Sequence, residues 1–129
     1  MIKAILFDAD GVLITGEKFA QHLQREMNIS PEITAPFFKG RFKECVIGRT
    51  DLKAEIAPFL PQWGWDKSAD DFLKLWFGVE HQTNKTLLNW IVALRKRGIL
   101  CYIATNQEKY RSQYIEEYME LGPMFDGVF

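Results

Sequence analysis

The chain opens on a nearly unbroken apolar run, Ile2 to Phe7, that stops abruptly at Asp8, Ala9, Asp10 and Gly11. A strand buried on both faces reads this way where it ends at a polar edge. A second run of the same format, Ile99 to Ala104, follows Gly98 and ends at Thr105 and Asn106, and a third starts at Val128. Between the first two runs the period turns helical. Phe19, Leu23 and Met27 recur at helical spacing, and Ser30 before Pro31 and Glu32 reads as an N-cap with proline at the first helical position. Thr50 is placed to cap a helix through Leu60. Ser68 with Asp71 makes a capping-box-like start to a helix over 70–79, whose apolar face is Phe72, Leu75, Trp76 and Val79. Thr86 to Arg97 predicts an amphipathic helix with Leu87, Leu88, Trp90, Ile91 and Leu94 inside. Arg95, Lys96 and Arg97 sit at the negative end of its dipole, and Gly98 stops it. Gln107 to Leu121 predicts a further helix, capped by Asn106 and ended by Gly122 and Pro123.

A helix that feeds a buried strand whose end opens another helix is the grammar of a parallel α/β sheet. The expected architecture is an α/β, Rossmann-like parallel sheet core of about three strands, residues 1–16 and 86–129, with an inserted all-helical cap over 17–85. Ligands of such sheets bind at the carboxyl ends of the strands, where Asp8, Asp10, Thr105 and Asn106 all fall.

Composition narrows the classes. Apolar residues make up 47% of the 129, enough for a real core, and disorder is excluded. Sixteen Lys and Arg against seventeen Asp and Glu leave a net charge of −1 with no basic run, so no nucleic-acid or membrane partner is expected. No segment approaches the ~18 apolar residues of a membrane span, and no signal-peptide pattern precedes the first acids, so the expectation is a soluble, cytoplasmic protein. Cys45 and Cys101 stand in apolar surroundings without a Cys-X-X-Cys pattern and read as buried reduced thiols. His22 and His81 have no partner at ligand spacing, and Trp63, Trp65, Trp76 and Trp90 read as packing or as ligand-stacking residues.

The chemistry concentrates at Asp8 and Asp10. Carboxylates at i and i+2 point to opposite faces of a continuing strand, but Gly11 permits a sharp turn that lets both face one pocket. The pair suits a nucleophile and an acid/base, and two clustered carboxylates call for a hard cation such as Mg²⁺. An ordinary turn after a strand is the other reading of the same residues.

The stretch Ile5-Leu6-Phe7-Asp8-Ala9-Asp10-Gly11-Val12-Leu13 resembles the first motif of the haloacid dehalogenase-like (HAD) hydrolase superfamily, and Ile103-Ala104-Thr105-Asn106-Gln107 resembles its second. The ending Phe125 to Phe129 is similar to that family's third core strand, so the resemblance runs the length of the chain. It implies that Asp8 attacks a phosphoryl group to form an aspartyl-phosphate and that Asp10 protonates the leaving oxygen and then activates water. It also implies phosphate binding by the Thr105 hydroxyl with Asn106 beside it, and a Mg²⁺ cofactor held by Asp8 and Asp10. An acid at position 10 favours a phosphatase or phosphomutase over carbon–halogen cleavage, with a small phosphorylated metabolite as substrate. The insert resembles the family's helical first-class cap, which closes over the site and selects substrates. Within it, Gly48-Arg49-Thr50-Asp51 resembles the specificity loop, so Arg49 either reaches a second anionic group or is solvated beside a helix cap.

The resemblance further implies a lysine and one or two acids beyond the third strand. Ending at Phe129, this chain carries neither there, and Lys109 and Arg111 are not at that place. Four readings stay open: part of a longer enzyme, a clipped chain, a second chain or homo-oligomer covering the exposed edge of strand one, or a non-catalytic remnant that acts as an interaction module. The 129-residue form is expected to be weak or inactive alone, because each missing electrostatic group is worth on the order of 2.7 to 4 kcal/mol in the transition state. A signalling receiver domain fails on layout, since helical pattern rather than strand–helix alternation follows strand one. A sugar transferase using Asp-X-Asp needs a nucleotide-binding region that this length hardly allows.

Overall fold

The first apolar run forms strand β1 (Ala4–Phe7) in a computed structural model that describes residues 1–129. Helices α1 (Phe19–Met27), α2 (Pro31–Pro36), α3 (Phe42–Val46), α4 (Leu52–Ile56), α5 (Ala69–Val79) and α6 (Lys85–Lys96) follow. Strand β2 (Leu100–Ile103), helix α7 (Lys109–Gln113) and strand β3 (Gly127–Val128) complete the order. Residues 1–16, 81–106 and 112–129 form one compact unit, and residues 17–80 with 107–111 form a second.

In the first unit the strands are parallel in the order β1-β2-β3, with Ala4 opposite Leu100, Phe7 opposite Ile103 and Ile103 opposite Val128. The fold is therefore α/β with a three-stranded parallel sheet. Gly98, at φ +86°, takes the left-handed conformation that ends α6 and turns the chain into β2. Right-handed crossovers that advance in one direction put their helices on one face of the sheet. That face carries the core: Cys101 and Ile103 of β2 are buried with Ile91 of α6 and with Ile115, Met119, Leu121 and Phe125. Arg95 ties the layer together by donating to the Met124 carbonyl at 2.8 Å and pairing with Asp126 at 2.9 Å, while Asp126 also accepts the Cys101 N–H at 2.8 Å.

The opposite face is bare. Leu6 is 65% exposed and Leu100 is exposed, while the alternate residues Ile5 and Phe7 are half-buried. The first run is therefore not buried on both faces as its apolar format suggests, while the open edge expected of strand one is present. With β2 as its only neighbour and helices on one side only, β1 is an edge strand with a single covered face. Because Leu6 leaves little contact to lose, Leu6→Lys is expected to change stability by no more than about 0.5 kcal/mol and to lower binding of an apolar dye. A large fall in melting temperature in that variant would mean that the side chain is covered.

The second unit is held by aromatic side chains. Phe37 lies 5.8 Å from Trp63, Trp63 5.8 Å from Phe72, and Phe19 packs on Phe72 at 5.3 Å and on Trp76 at 5.5 Å. Trp63 and Trp76 are thus core. Trp90 is the reverse, 66% exposed on α6 rather than inside as its spacing suggested. Pro36 lies within a continuous helical run over 31–46, and the residues after it, Phe37–Arg41, widen to a π turn, as expected where the proline removes an N–H from the ladder.

Local caps agree with the sequence at Ser68 and Ser30 and differ elsewhere. The Ser68 hydroxyl accepts the Asp71 N–H at 3.1 Å and starts α5. Ser30 is the N-cap residue of α2 with Pro31 at the first helical position, as the sequence predicts, though its side chain makes no cap bond. Asp51, not Thr50, caps α4, and that helix ends at Ile56. The last predicted helix starts at Lys109 and passes through a π turn (Tyr114–Tyr118), after which Glu120 adopts a left-handed φ of 57°. Both cysteines are free and buried. No helix is long and apolar enough to cross a membrane.

Candidate active site

The carboxyl end of β1 is built around Ala9. Its side chain is buried, and its carbonyl accepts N–H groups from Val12 (3.3 Å), Leu13 (2.9 Å) and Ile14 (2.9 Å). Gly11, at φ +82°, permits this fold-back, and its N–H returns to the Ile14 carbonyl at 2.9 Å. Burial of Ala9, Leu13 and Ile14 forces their polar neighbours outward, so Asp8 and Asp10 are both exposed. One Asp8 carboxylate oxygen accepts the Ala9 N–H at 2.8 Å, which fixes the side chain at the strand end. Ile14 bridges to both Asp10 and Thr83, the Thr15 N–H donates to Gln82 at 2.9 Å and the Asn84 N–H to Leu13 at 2.8 Å, so the chain leaving and re-entering the first unit is laced to itself.

At the end of β2 the Ala104 N–H donates to the Phe7 carbonyl at 2.8 Å and the Thr105 N–H to the Phe129 carbonyl at 3.1 Å. These bonds extend the parallel ladders past the strands proper and hold the next residues beside the end of β1. The result is an open cleft of about 550 Å³ walled by Leu6, Phe7, Asp8, Ala104, Thr105, Asn106 and Phe129. Asp8, Thr105 and Asn106 are brought together there. Asp10, in the turn two residues on, stands outside that wall.

Asn106 does not cap the next helix. The carboxylate of Glu108 does so, accepting the N–H groups of Tyr110 (2.9 Å) and Arg111. Glu108 is buried, and desolvation raises its pKa above the ordinary carboxyl value. With the capping role gone, Asn106 is left exposed at the cleft.

Arg49 is solvent-exposed and lies 3.3 Å from the Glu44 carboxylate within the second unit. Thr50 shares its hydroxyl with the Cys45 thiol at 3.4 Å. The residue of this loop with the most partners is Asp51, which accepts from Ala54 N–H, Tyr110 hydroxyl and Lys109 ammonium. Its carboxyl is held well below the ordinary value of 3.8, chiefly by Lys109 and then by Tyr110. A depressed carboxyl contributes stability that is complete above the unfolded pKa and lost as pH falls through that of the folded state. Thermal melts at about pH 7 and pH 3 are therefore expected to show a smaller acid loss in Asp51→Ser than in the parent chain. The Asp before Leu52 was a sequence signal for this cap equal to Thr50, whereas nothing in the sequence links position 51 to position 110. His81 is exposed and meets the Tyr114 hydroxyl at 2.7 Å, and His22 is half-buried against Phe19, with Glu17 at 3.8 Å.

The site's donors are hard oxygens. No group of three His, Cys, Asp or Glu side chains converges, but Mg²⁺ is commonly bound by one or two carboxylates, with waters and substrate phosphate completing the shell. Asp8 offers one such carboxylate at the cleft, and Asp10 stands in the turn two residues on.

No protein-family model matches the chain, and no curated protein sequence does. Solved structures do. All of this chain superposes on 68% of the HAD-family enzyme BT-2542 from Bacteroides thetaiotaomicron, in complex with magnesium and inorganic phosphate, with a TM-score of 0.75 and 16% identity. It covers 66% of a predicted HAD-like family hydrolase from Porphyromonas gingivalis (TM-score 0.72, 19% identity). It also covers 56% of the L-2-haloacid dehalogenase from Xanthobacter autotrophicus with chloropropionic acid covalently bound (TM-score 0.62, 18% identity). The chain has the HAD-like fold. It spans about two thirds or less of the length of these three proteins.

Proposed function

We propose that the chain is a HAD hydrolase, and within that class a Mg²⁺-dependent phosphatase of small phosphate monoesters. The observation that carries the reading is the gathering of Asp8, Thr105 and Asn106 on one cleft at the carboxyl ends of two adjacent parallel strands. The magnesium and phosphate bound by BT-2542, which shares the fold, support it further.

In this reading a carboxylate oxygen of Asp8 attacks phosphorus and the bond to the ester oxygen breaks. Asp10 gives its proton to the departing alkoxide, then as a carboxylate takes one from water. The water oxygen attacks phosphorus, the bond to Asp8 breaks, and inorganic phosphate leaves with Asp8 restored. Splitting one displacement into two lowers each barrier. The Thr105 hydroxyl and the Asn106 amide donate to phosphoryl oxygens, whose charge grows in the transition state. The Asp8 carboxylate and the Asp10 main-chain carbonyl, both hard oxygens, would hold Mg²⁺, which would supply charge neutralisation between carboxylate and phosphate and leave the Asp10 carboxyl free to carry its proton. Position 10 separates this chemistry from dehalogenation, because an alkoxide needs a proton and a halide does not.

The test is phosphate release from p-nitrophenyl phosphate and from sugar and nucleotide monophosphates, with Mg²⁺ and with excess chelator. Slow release that stops on chelation is expected. Absence of both release and inorganic-phosphate binding in the presence of Mg²⁺ overturns the reading. The uncovered face and edge of β1 favour a second reading, in which the chain keeps the fold and binds another polypeptide there. Light scattering that returns a defined oligomer, with no Mg²⁺ affinity, would bring that reading forward.

A further inference from the structure

No charged side chain stands on the uncovered face of the sheet. By strand alternation that face carries Ala4 and Leu6 of β1, Leu100 and Tyr102 of β2 and Gly127 of β3, with Phe129 next in phase. The Tyr102 ring lies across Gly127, where a Cβ would come within 3.1 Å of it, and it meets the Phe129 ring at 5.5 Å. Asp8 and Ala104 follow in the same phase as Leu6 and Tyr102, and they line the strand-end cleft together with Leu6 and Phe129. The cleft therefore opens onto the apolar face, with Asp8 about 7 Å along the chain from Leu6.

Its wall has two parts, both within the first unit. Asp8, Thr105 and Asn106 form the polar part. Leu6, Phe7, Ala104 and Phe129 form the apolar part, and Leu6 is 65% and Phe129 73% exposed. None of the first unit's Lys or Arg side chains lines the cleft: Lys3, Arg95, Lys96 and Arg97 stand toward the amino ends of β1 and β2, and Lys85 at the start of α6. A second anionic or strongly hydrated group on a substrate would lose water against Leu6 and Phe129 and gain no partner from them. A hydrocarbon group there removes its own apolar surface and that of the wall from water together.

We propose that the apolar wall is the leaving-group subsite: the chain takes alkyl or aryl phosphate monoesters, in preference to sugar phosphates and to esters with a second anionic group, and the hydrocarbon lies over Leu6 and Phe129. The proposal rests on the reading that Asp8, Thr105 and Asn106 take the phosphoryl group, and it adds what is attached to that group.

The probes are methylphosphonate and hexylphosphonate, which are not hydrolysed, titrated with Mg²⁺ into the ¹⁵N-labelled chain. Full burial of one methylene is worth about fourfold in affinity. An open wall covers about half of each, so the added methylenes are expected to tighten binding roughly thirtyfold in all. The Leu6, Tyr102 and Phe129 amides are expected to shift with hexylphosphonate and to stay in place with methylphosphonate. In Leu6→Ser and in Phe129→Ser the ratio of hexyl to methyl affinity is expected to fall on the order of threefold, and both side chains are exposed enough for the sheet to keep its fold. Equal affinity for the two phosphonates overturns the proposal and leaves phosphate binding in place. Leu6 and Phe129 amides that move on dilution of the chain but not with hexylphosphonate give the face to a second copy and overturn it as well. If neither phosphonate binds, the phosphatase reading falls instead, and hexanol decides the wall: shifts confined to the Leu6, Tyr102 and Phe129 amides keep it as an apolar subsite, and unmoved amides overturn it.

Discussion

Replacing Asp8 by asparagine is expected to lower Mg²⁺-dependent phosphate release by on the order of 10³-fold or more, to the background of the assay. The carboxylate oxygen is the nucleophile in the proposed reaction, and an amide at that place has no charge with which to attack phosphorus. The loss is chemical rather than structural. Asp8 is exposed, and an asparagine oxygen can still accept the Ala9 N–H that fixes the side chain. The melting temperature should therefore hold while release fails, and release retained in Asp8→Asn would assign the activity to another site. Asp10→Asn gives a second, graded signature, because loss of general acid–base catalysis costs about 10² to 10⁴-fold and weighs most where the leaving group most needs a proton. Alkyl phosphates should lose more rate than p-nitrophenyl phosphate, whose phenolate departs readily without one. An equal loss on both esters would remove Asp10 from the acid role.

The parts of this fold that were legible in the sequence are those set by local physics. The two apolar runs ending in polar residues became β1 and β2, and Ser68 became the α5 cap, because each rests on residues adjacent in the chain. The parts that were not legible depend on what covers an element. An apolar run predicts burial on both faces, yet Leu6 is exposed because both sheet-packed helical elements lie on the other side. Trp90 shows the same limit. At about 100° per residue it sits that angle away from Ile91, the centre of the α6 inner face, and leaves Leu87, Leu88 and Leu94 nearer the core. At the site, Asp8, Thr105 and Asn106 were legible because strand ends converge in a parallel sheet. Within the second unit the bond from Tyr110 to Asp51 was not, since it spans 59 positions with no periodicity to mark it. The Glu108 cap was not legible either, because glutamate is not among the residues that ordinarily start helices whereas asparagine two places earlier is.

The largest effect on stability is expected from Phe72→Ala. Phe72 is fully buried in the second unit, with its ring 5.3 Å from Phe19, 5.8 Å from Trp63 and 5.2 Å from Trp65. Truncating such a phenylalanine removes the transfer free energy of the ring and leaves a cavity that rigid aromatic neighbours cannot fill, about 3 to 5 kcal/mol in all. Against a total of roughly 5 to 15 kcal/mol for a domain, that loss brings the second unit close to unfolding. Fluorescence of Trp63 and Trp76, both packed in that core, should report a melting temperature lower by some tens of degrees, at ~4 to 8 °C per kcal/mol. Trp90→Ala removes a larger side chain but an exposed one, so its cost should stay within about 0.5 kcal/mol. If the two variants cost the same, the second unit is not held by its aromatic core.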